Sequence, residues 1–470
     1  MAPALLVAFA LSQVVSPELV SPDAGMQAPE PVVLADAGVT PAVEADPTLL
    51  KLLLQKSILS QAEYEAAVSG LPPPEEGRSP LMNKWAASLY GFLELDAVGA
   101  STQSSFEQPA NLAIARPGTP EAEHARISLS VRNSRLGLKL ATPAVKGLRA
   151  SAVFEIDLFG STPTANTDLL FFTGAGPRIR HIAIMVETPY VDVLLGQWWQ
   201  LFGWQPNFFP NTVEIQGITG EIYGRVPQLR LSRVFRSAPV NVEGAFAISR
   251  PADRLYGVPD LQAGVRVALN GRTALRTSGA TATRADPMMF GVSSVLRHFD
   301  APAGVAAAWG WGLSVDALVP IIRGSFEERA NALTLNASFA TGAGIADYQS
   351  GFTAGIGASG PVDPGLVALV SGALRPIIWR TFRVGLQYYL PPNGNVWLAA
   401  NWGQNDSPNA AALGDPTKVY VTSRLGDVSV FWNVLPAVRL GVEYAFAWQR
   451  FGDDVEVHEH RGTVAAFFLF

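Results

Sequence analysis

Three sets of residues in this sequence have types and spacings that chemistry could use. His458 and His460, in "EVHEH", share one side of an extended segment and have the spacing of two metal ligands. A zinc-type site needs a third donor close by, and none accompanies them, so a solvated loop beside the last strand is the better reading. Glu94 with Asp96, and Glu155 with Asp157, are i, i+2 carboxylate pairs. On a strand both members of such a pair point to the same side. They either tune the electrostatics of a pore or partner arginines in structural ion pairs, and both readings stand. The third set is Arg126, Arg132, Arg135, Arg149, Arg180, Arg230, Arg266, Arg383, Arg439 and Arg461, with Glu443 as an acidic neighbour. A guanidinium stays charged and forks onto carboxylates; a ladder of them in a water-filled barrel lowers the barrier for small anions. Screening limits each charge to roughly 8 Å at physiological salt, so only the narrow part of such a pore discriminates. No G-x-S-x-G elbow, phosphate-cradling loop or H-E-x-x-H occurs, and each is a constellation that known hydrolytic or nucleotide chemistry needs. The expectation is a protein that is not an enzyme and carries no cofactor and no metal.

The elements that would position these residues are strands. From Trp85 the apolar period becomes 2. "LYGFLELDAV" sets Leu89, Leu93 and Leu95 against Tyr90, Phe92, Glu94 and Asp96, and "LRASAVFEIDLF" sets Phe154 and Ile156 against Arg149, Glu155 and Asp157. "PQLRLS", "NALTLNASF", "RTFRVGLQYYL" and "VRLGVEYAFAW" alternate in the same way. "DLQAGVRVAL" alternates too and is expected to end at Asn270–Gly271, a favoured hairpin turn. The last residues, "AAFFLF", place Val464, Ala466, Phe468 and Phe470 on one side, as a lipid-facing closing strand requires. "APAGVAAAWGWGLSVDALVPII" is a strand rather than a transmembrane helix, because Trp309 and Trp311 keep the parity of Leu313 and Val315.

A soluble sandwich also alternates, so parity alone leaves a tie. Segment length breaks it: the runs reach roughly 9–11 residues, enough to cross a bilayer when tilted, against about 5–6 for soluble strands. Aromatics gather at segment ends, as in "GQWWQLFGW" (Trp198, Trp199, Phe202, Trp204), where girdles at the water interface would stand. Short turns such as "PAVKG" and "LPAV" alternate with long polar stretches over 99–124, 160–177 and 201–225. The fold class expected is an all-β transmembrane antiparallel barrel of about 16 strands, within about 14–18.

Composition agrees. The 470 residues hold 43 Gly, 35 Pro, only 16% charged residues and no cysteine, which excludes disulfides, thiolate chemistry and lipidation of an N-terminal cysteine. Residues 1–84 carry ten acids and four bases, which accounts for the net charge of −6 and leaves 85–470 neutral. With no basic block, nucleic acid is not an expected partner. The domain reading is a signal peptide over 1–28, from the apolar run Ala4–Leu11; a Pro/Ala/acid-rich linker over 29–46; a helical oligomerisation segment over 47–70; a linker over 71–84; and the barrel over 85–470. In the helical segment Leu49, Leu50, Leu53 and Leu54 share a face, and Ser60 with Glu63 forms a capping box. Two short helices cannot bury their own leucines and need a partner, most simply copies of themselves; packing against the barrel rim is the alternative.

The blocks "LYGFLELDAVGA", "RNSRLGLKLATP", "FEIDLFG", "RIRHIAI", "LLGQWWQLF", "VPQLRLS" and "DVSVFWNVLPAVRLGVEYAFAWQRF", with the terminal "AAFFLF", resemble the DcaP-type porins of Gram-negative outer membranes. The likeness spans 85–470 in order, with its poorest stretch at 270–375. It implies a 16-stranded barrel, a homotrimer, and diffusion of small anionic solutes such as dicarboxylates. It also implies that Arg132, Arg135, Lys139, Arg180 and Gln197 face the lumen. The expected function is an outer-membrane porin passing small hydrophilic solutes with a bias toward anions; a phosphate- or sugar-specific channel, or a non-conducting adhesin or structural barrel, are the alternatives. Expected partners are outer-membrane lipid and lipopolysaccharide, and the barrel-assembly machinery through the Phe470 strand.

Overall fold

A computed structural model describes residues 85–470 except 105–113, 161–175, 214–217, 251–256, 278, 302 and 351–365. The expected signal peptide, linkers and helical segment of residues 1–84 lie outside the described residues.

Strands β1 (Ala86–Ala100), β2 (Arg126–Ser130), β3 (Arg135–Ala141), β4 (Arg149–Asp157), β5 (Arg178–Glu187), β6 (Asp192–Trp199), β7 (Arg225–Arg236), β8 (Val240–Ser249), β9 (Asp260–Arg276) and β10 (Arg284–Phe299) make the first part of one antiparallel sheet. It continues through β11 (Ala308–Ile322) and β12 (Leu333–Ala343), skips the small loop hairpin β13 (Val367–Val370) and β14 (Ala373–Pro376), and goes on through β15 (Ile378–Tyr389), β16 (Val396–Asp406), β17 (Tyr420–Leu435), β18 (Val438–Phe451) and β19 (Glu456–Leu469). β1 pairs with β19, Phe92 opposite Leu469 through Ala100 opposite Arg461, so the sheet closes. β2 and β3 both pair with β1, at Asp96–Ala100 and at Ala86–Phe92, and form one interrupted stave. The barrel therefore has 16 staves, all antiparallel.

The alternation is an inside–outside code. In β1 Leu89, Leu93 and Leu95 are exposed, while Phe92, Glu94, Asp96 and Val98 are buried. Val464, Ala466 and Phe468 likewise face out of β19, and Arg461, Thr463 and Ala465 face in. Exposed Trp309, Trp311, Leu313 and Val315 confirm β11 as a strand; no described helix is long and apolar enough to cross a membrane. Carboxylates inside and leucines outside invert the arrangement of a water-soluble core. The polar interior and apolar belt identify hydrocarbon as the outer solvent.

Three expectations need correction. β9 does not end at Asn270–Gly271: Leu269 pairs with Met288 and Thr273 with Pro287, so Asn270–Arg272 form a bulge and the strand runs on to Arg276. Glycine and asparagine suit a bulge as well as a turn, and Pro287, which has no N–H, sits where the ladder is interrupted. Trp199, Phe202 and Trp204 are not a girdle; they are at most 8% exposed, inside the barrel. His458 and His460 are not in a loop but on the outward side of β19, against Phe446 and Tyr444. Among the described residues no cluster of three or more metal-ligating side chains occurs.

Candidate functional site

The lumen is shaped first by the long connection after β6, whose described residues 200–213 and 218–224 fold inward. A main chain entering the interior must find partners for its N–H and C=O groups, and inward-facing side chains supply them. Gln262 Oε1 accepts from Leu201 N (2.9 Å) and Phe202 N (2.8 Å), and Ser293 Oγ from Gly203 N (2.7 Å). Glu443 Oε2 accepts from Val213 N (2.8 Å). Arg383 Nη2 donates to Phe208 O (2.6 Å) and Asn401 Nδ2 to Asn211 O (2.9 Å). The segment thus touches β9, β10, β15, β16 and β18. Its aromatics fill the space left by missing side chains: a Cβ on Gly264 or Gly291 would meet the Trp204 ring at 2.9 or 2.8 Å. A second clamp is the Ala346–Tyr348 turn: Tyr223 N donates to Tyr348 O (2.7 Å), and the turn is itself anchored by Arg297, which bridges Asp260 (3.1 Å) and Asp347 (2.5 Å).

The facing wall, β1 to β7, holds the densest charge. Opposite Glu155 and Ile156, β5 contains an extra residue, and bulges re-aim side chains. Arg180 and His181 consequently both lie buried on the inner side. Arg180 forks between Glu155 (Nε, 2.7 Å) and Asp157 (Nη1, 2.9 Å), and Arg178 binds Asp157 at 2.7 Å. Arg135 stands 3.7 Å from Glu155, whose other oxygen accepts from Tyr90 Oη (2.9 Å). Arg225 lies over Trp199 (4.9 Å) and Tyr223 (5.5 Å); Lys139 lies 4.4 Å over Tyr90. Beneath this wall opens a cavity of about 990 Å³ bordered by Tyr90, Arg135, Lys139 and Glu155.

Of the sequence-derived residues, Glu94, Asp96, Arg135, Glu155, Asp157, Arg180, Arg383, Arg439, Glu443 and Arg461 are buried on inward-facing positions. Glu94 is held by Asn133 Nδ2 (2.8 Å) in the break between β2 and β3. Arg126, opposite Ala100, and Arg149, opposite Glu187, are each the first residue of their strand and keep the inward parity. Arg132 donates to Leu158 O (3.4 Å) and Gly160 O (3.4 Å). Arg230 binds Gln228 Oε1 (3.0 Å) and Trp199 O (2.6 Å), and Arg266 is ion-paired with Glu243. Gln197 differs from what the resemblance implies: it pairs with outward-facing Ile182 and Pro227, and its amide caps Ile179 O (3.0 Å) and Arg180 O (3.1 Å), carbonyls at the bulge. Neighbouring Gly196, at φ +124°, could carry no side chain, because a Cβ would fall inside Ile182 O. The arginines are thus not a simple ladder, since Arg132, Arg230, Arg383 and Arg439 tie down main chain. Sequence reasoning missed Arg178, Arg225 and Tyr223. Arg178 shares the parity of Arg180 and was legible; Arg225 and Tyr223 owe their place to the inward fold of 200–224.

Fold and interior together define a closed transmembrane β-barrel with a polar lumen. No protein-family model matches the sequence, and no curated protein does. Among solved structures the chain is similar to the outer membrane channel DcaP of Acinetobacter baumannii, with a TM-score of 0.63 and 17% identity over 83% of this chain and 98% of that one. A looser likeness, with a TM-score of 0.49 and 12% identity over 82% of this chain and 100% of the other, relates it to the anion-selective porin from Comamonas acidovorans. The shared architecture with DcaP is a likeness of fold.

Proposed function

We propose that the chain is a porin through which small hydrophilic solutes diffuse passively, with a bias toward anions such as dicarboxylates. The observation that carries this reading is the polar, arginine-rich interior of a closed barrel whose outside is apolar. The anion bias is supported by the cavity beneath the β1–β4 wall: Arg135, Lys139, Arg284, Arg329 and Arg439 border it against Glu155 and the C-terminal Phe470. Cationic side chains around an aqueous passage favour anions. In this reading the inward-facing residues named above line the pore, three copies associate through the segment 47–70, lipopolysaccharide surrounds the assembly, and the Phe470 strand is what the barrel-assembly machinery engages. Residues 1–28 direct export.

The test is single-channel recording of the purified chain in planar bilayers, followed by the reversal potential under a salt gradient. Steady conductance with a reversal potential displaced toward the anion equilibrium is expected. Absence of conductance defeats the porin reading in favour of an adhesin, and a cation-directed potential defeats the bias alone.

A further inference from the structure

The extended β9–β10 hairpin leaves the barrel wall. β8 ends its pairing with β9 at Val240 opposite Leu269, and β11 begins its pairing with β10 at Met289 opposite Leu318. Beyond these points Thr273–Arg276 and Arg284–Pro287 pair only with one another. Had they continued along the wall, Ala274, Leu275 and Ala280 would stand in water at the short-turn, periplasmic end. All three are instead at most 2% exposed.

Their partners lie across the lumen. Leu275 O accepts from Thr334 Oγ1 of β12 (2.7 Å), and Thr277 meets Gln387 (3.2 Å) and Tyr389 Oη (2.7 Å) of β15. Arg439 of β18 donates to the carbonyls of Gly279 and Thr281. Ala280 packs in one cluster with Phe92 of β1, Phe431 of β17 and Phe467 of β19. The hairpin also reaches the segment that enters from the other end: Gly279 N donates to Asn211 Oδ1 (2.8 Å), and Arg276 Nη1 to Pro206 O (3.0 Å).

From this the geometry points to a second obstruction of the pore. The β9–β10 hairpin is an internal plug that enters from the periplasmic end, joins the 200–224 segment, and confines solutes to the β1–β4 side. Arg276 stiffens it through Asp286 (3.0 Å), and Ala280–Arg284 form one boundary of the remaining cavity. The hairpin is therefore a size-determining element, and Arg284 is a lining charge that it contributes. The inference rests on the porin reading for its meaning, though not for the hairpin's position.

Two measurements separate these. In the full chain, residues 273–285 are replaced by two glycines and single-channel conductance is compared with that of the intact protein; an increase of at least about twofold is expected from widening the passage. Unchanged conductance overturns the plug and leaves the porin standing, whereas silence of the intact chain defeats the porin. Independently, Ala274→Cys, fully buried and off the cavity boundary, introduces the only thiol into a chain without cysteine. In proteoliposomes a bulky maleimide should label it only after urea unfolding; labelling of the folded barrel at the rate of the unfolded chain overturns the inward position, whatever the trimmed variant does.

Discussion

On the β1–β7 side of the lumen, Arg180 and Arg178 direct their donors at Glu155 and Asp157. On the β9–β18 side Arg276, Arg383 and Arg439 reach the main-chain carbonyls of Pro206, Phe208 and Thr281. The same residue type does two jobs because its surroundings differ. On the wall, charge answers charge in buried pairs, and Arg135 and Glu155 carry that network to the edge of the cavity. Where main chain crosses the interior, its polar groups need partners, and guanidinium groups with five donors supply them. Counting inward arginines therefore overstates the cationic field, because those that anchor inserted segments have donors taken up by main chain; Arg439 both anchors the hairpin and borders the cavity.

That division can be broken by substitution. The largest effect is expected from Arg180→Ala, which strands Glu155 and Asp157 with reduced compensation and should cost about 3–5 kcal/mol, read from urea unfolding of the refolded barrel. A loss below about 1 kcal/mol would mean that the pairs behave as solvent-screened ones. Next is Gly403→Ala, whose new methyl would fall on Thr219 O of the inserted segment. Overpacking of about 1–3 kcal/mol should displace the segment and raise conductance without altering insertion; unchanged conductance would detach this segment from the constriction. Lys139→Glu, at the cavity, should move the reversal potential toward cations while leaving unfolding nearly unaffected, the opposite profile to Arg180→Ala.

The smallest effect concerns the extracellular loops. Arg116 bonds Asp453 (2.6 Å) and, through that hydrogen bond first, holds its carboxyl below the usual range. A depressed carboxylate contributes stability that is present above its unfolded value of about 3.9 and is lost as pH falls through the folded value. Acidification below about pH 4 should therefore loosen this contact, seen as faster protease cleavage near Asp453. Cleavage with no dependence on acid pH would contradict the linkage.

Strand parity was legible because a barrel in lipid repeats one rule at every stave: Leu93 out, Glu94 in; Phe154 out, Glu155 in. The interior was less so. A polar connection that folds into a lumen and one that stands in water obey the same composition, and nothing in a period of 2 distinguishes them. The density of aromatics from Trp198 to Phe209 was the available signal, since six large rings in one loop region ask for burial. Read as a girdle, it pointed outward. Gln197 differs for another reason: its inward place came from the resemblance alone, whereas within β6 it shares the parity of exposed Leu195. The 270–287 hairpin hid behind an Asn-Gly pair that serves turns and bulges alike.

The seam between β1 and β19 has a consequence for how such a chain comes into being. Its paired residues, Phe92 with Leu469 through Ala100 with Arg461, are separated by nearly the whole barrel sequence. Contacts of such long range form late because closure entropy precedes any gain. Until β19 arrives, β1 presents an unpaired edge, the kind of template on which chains aggregate. A chain cut short before Glu456 would keep most of its inside–outside code and still have two raw edges, so the productive event in its biogenesis is a single late ring closure.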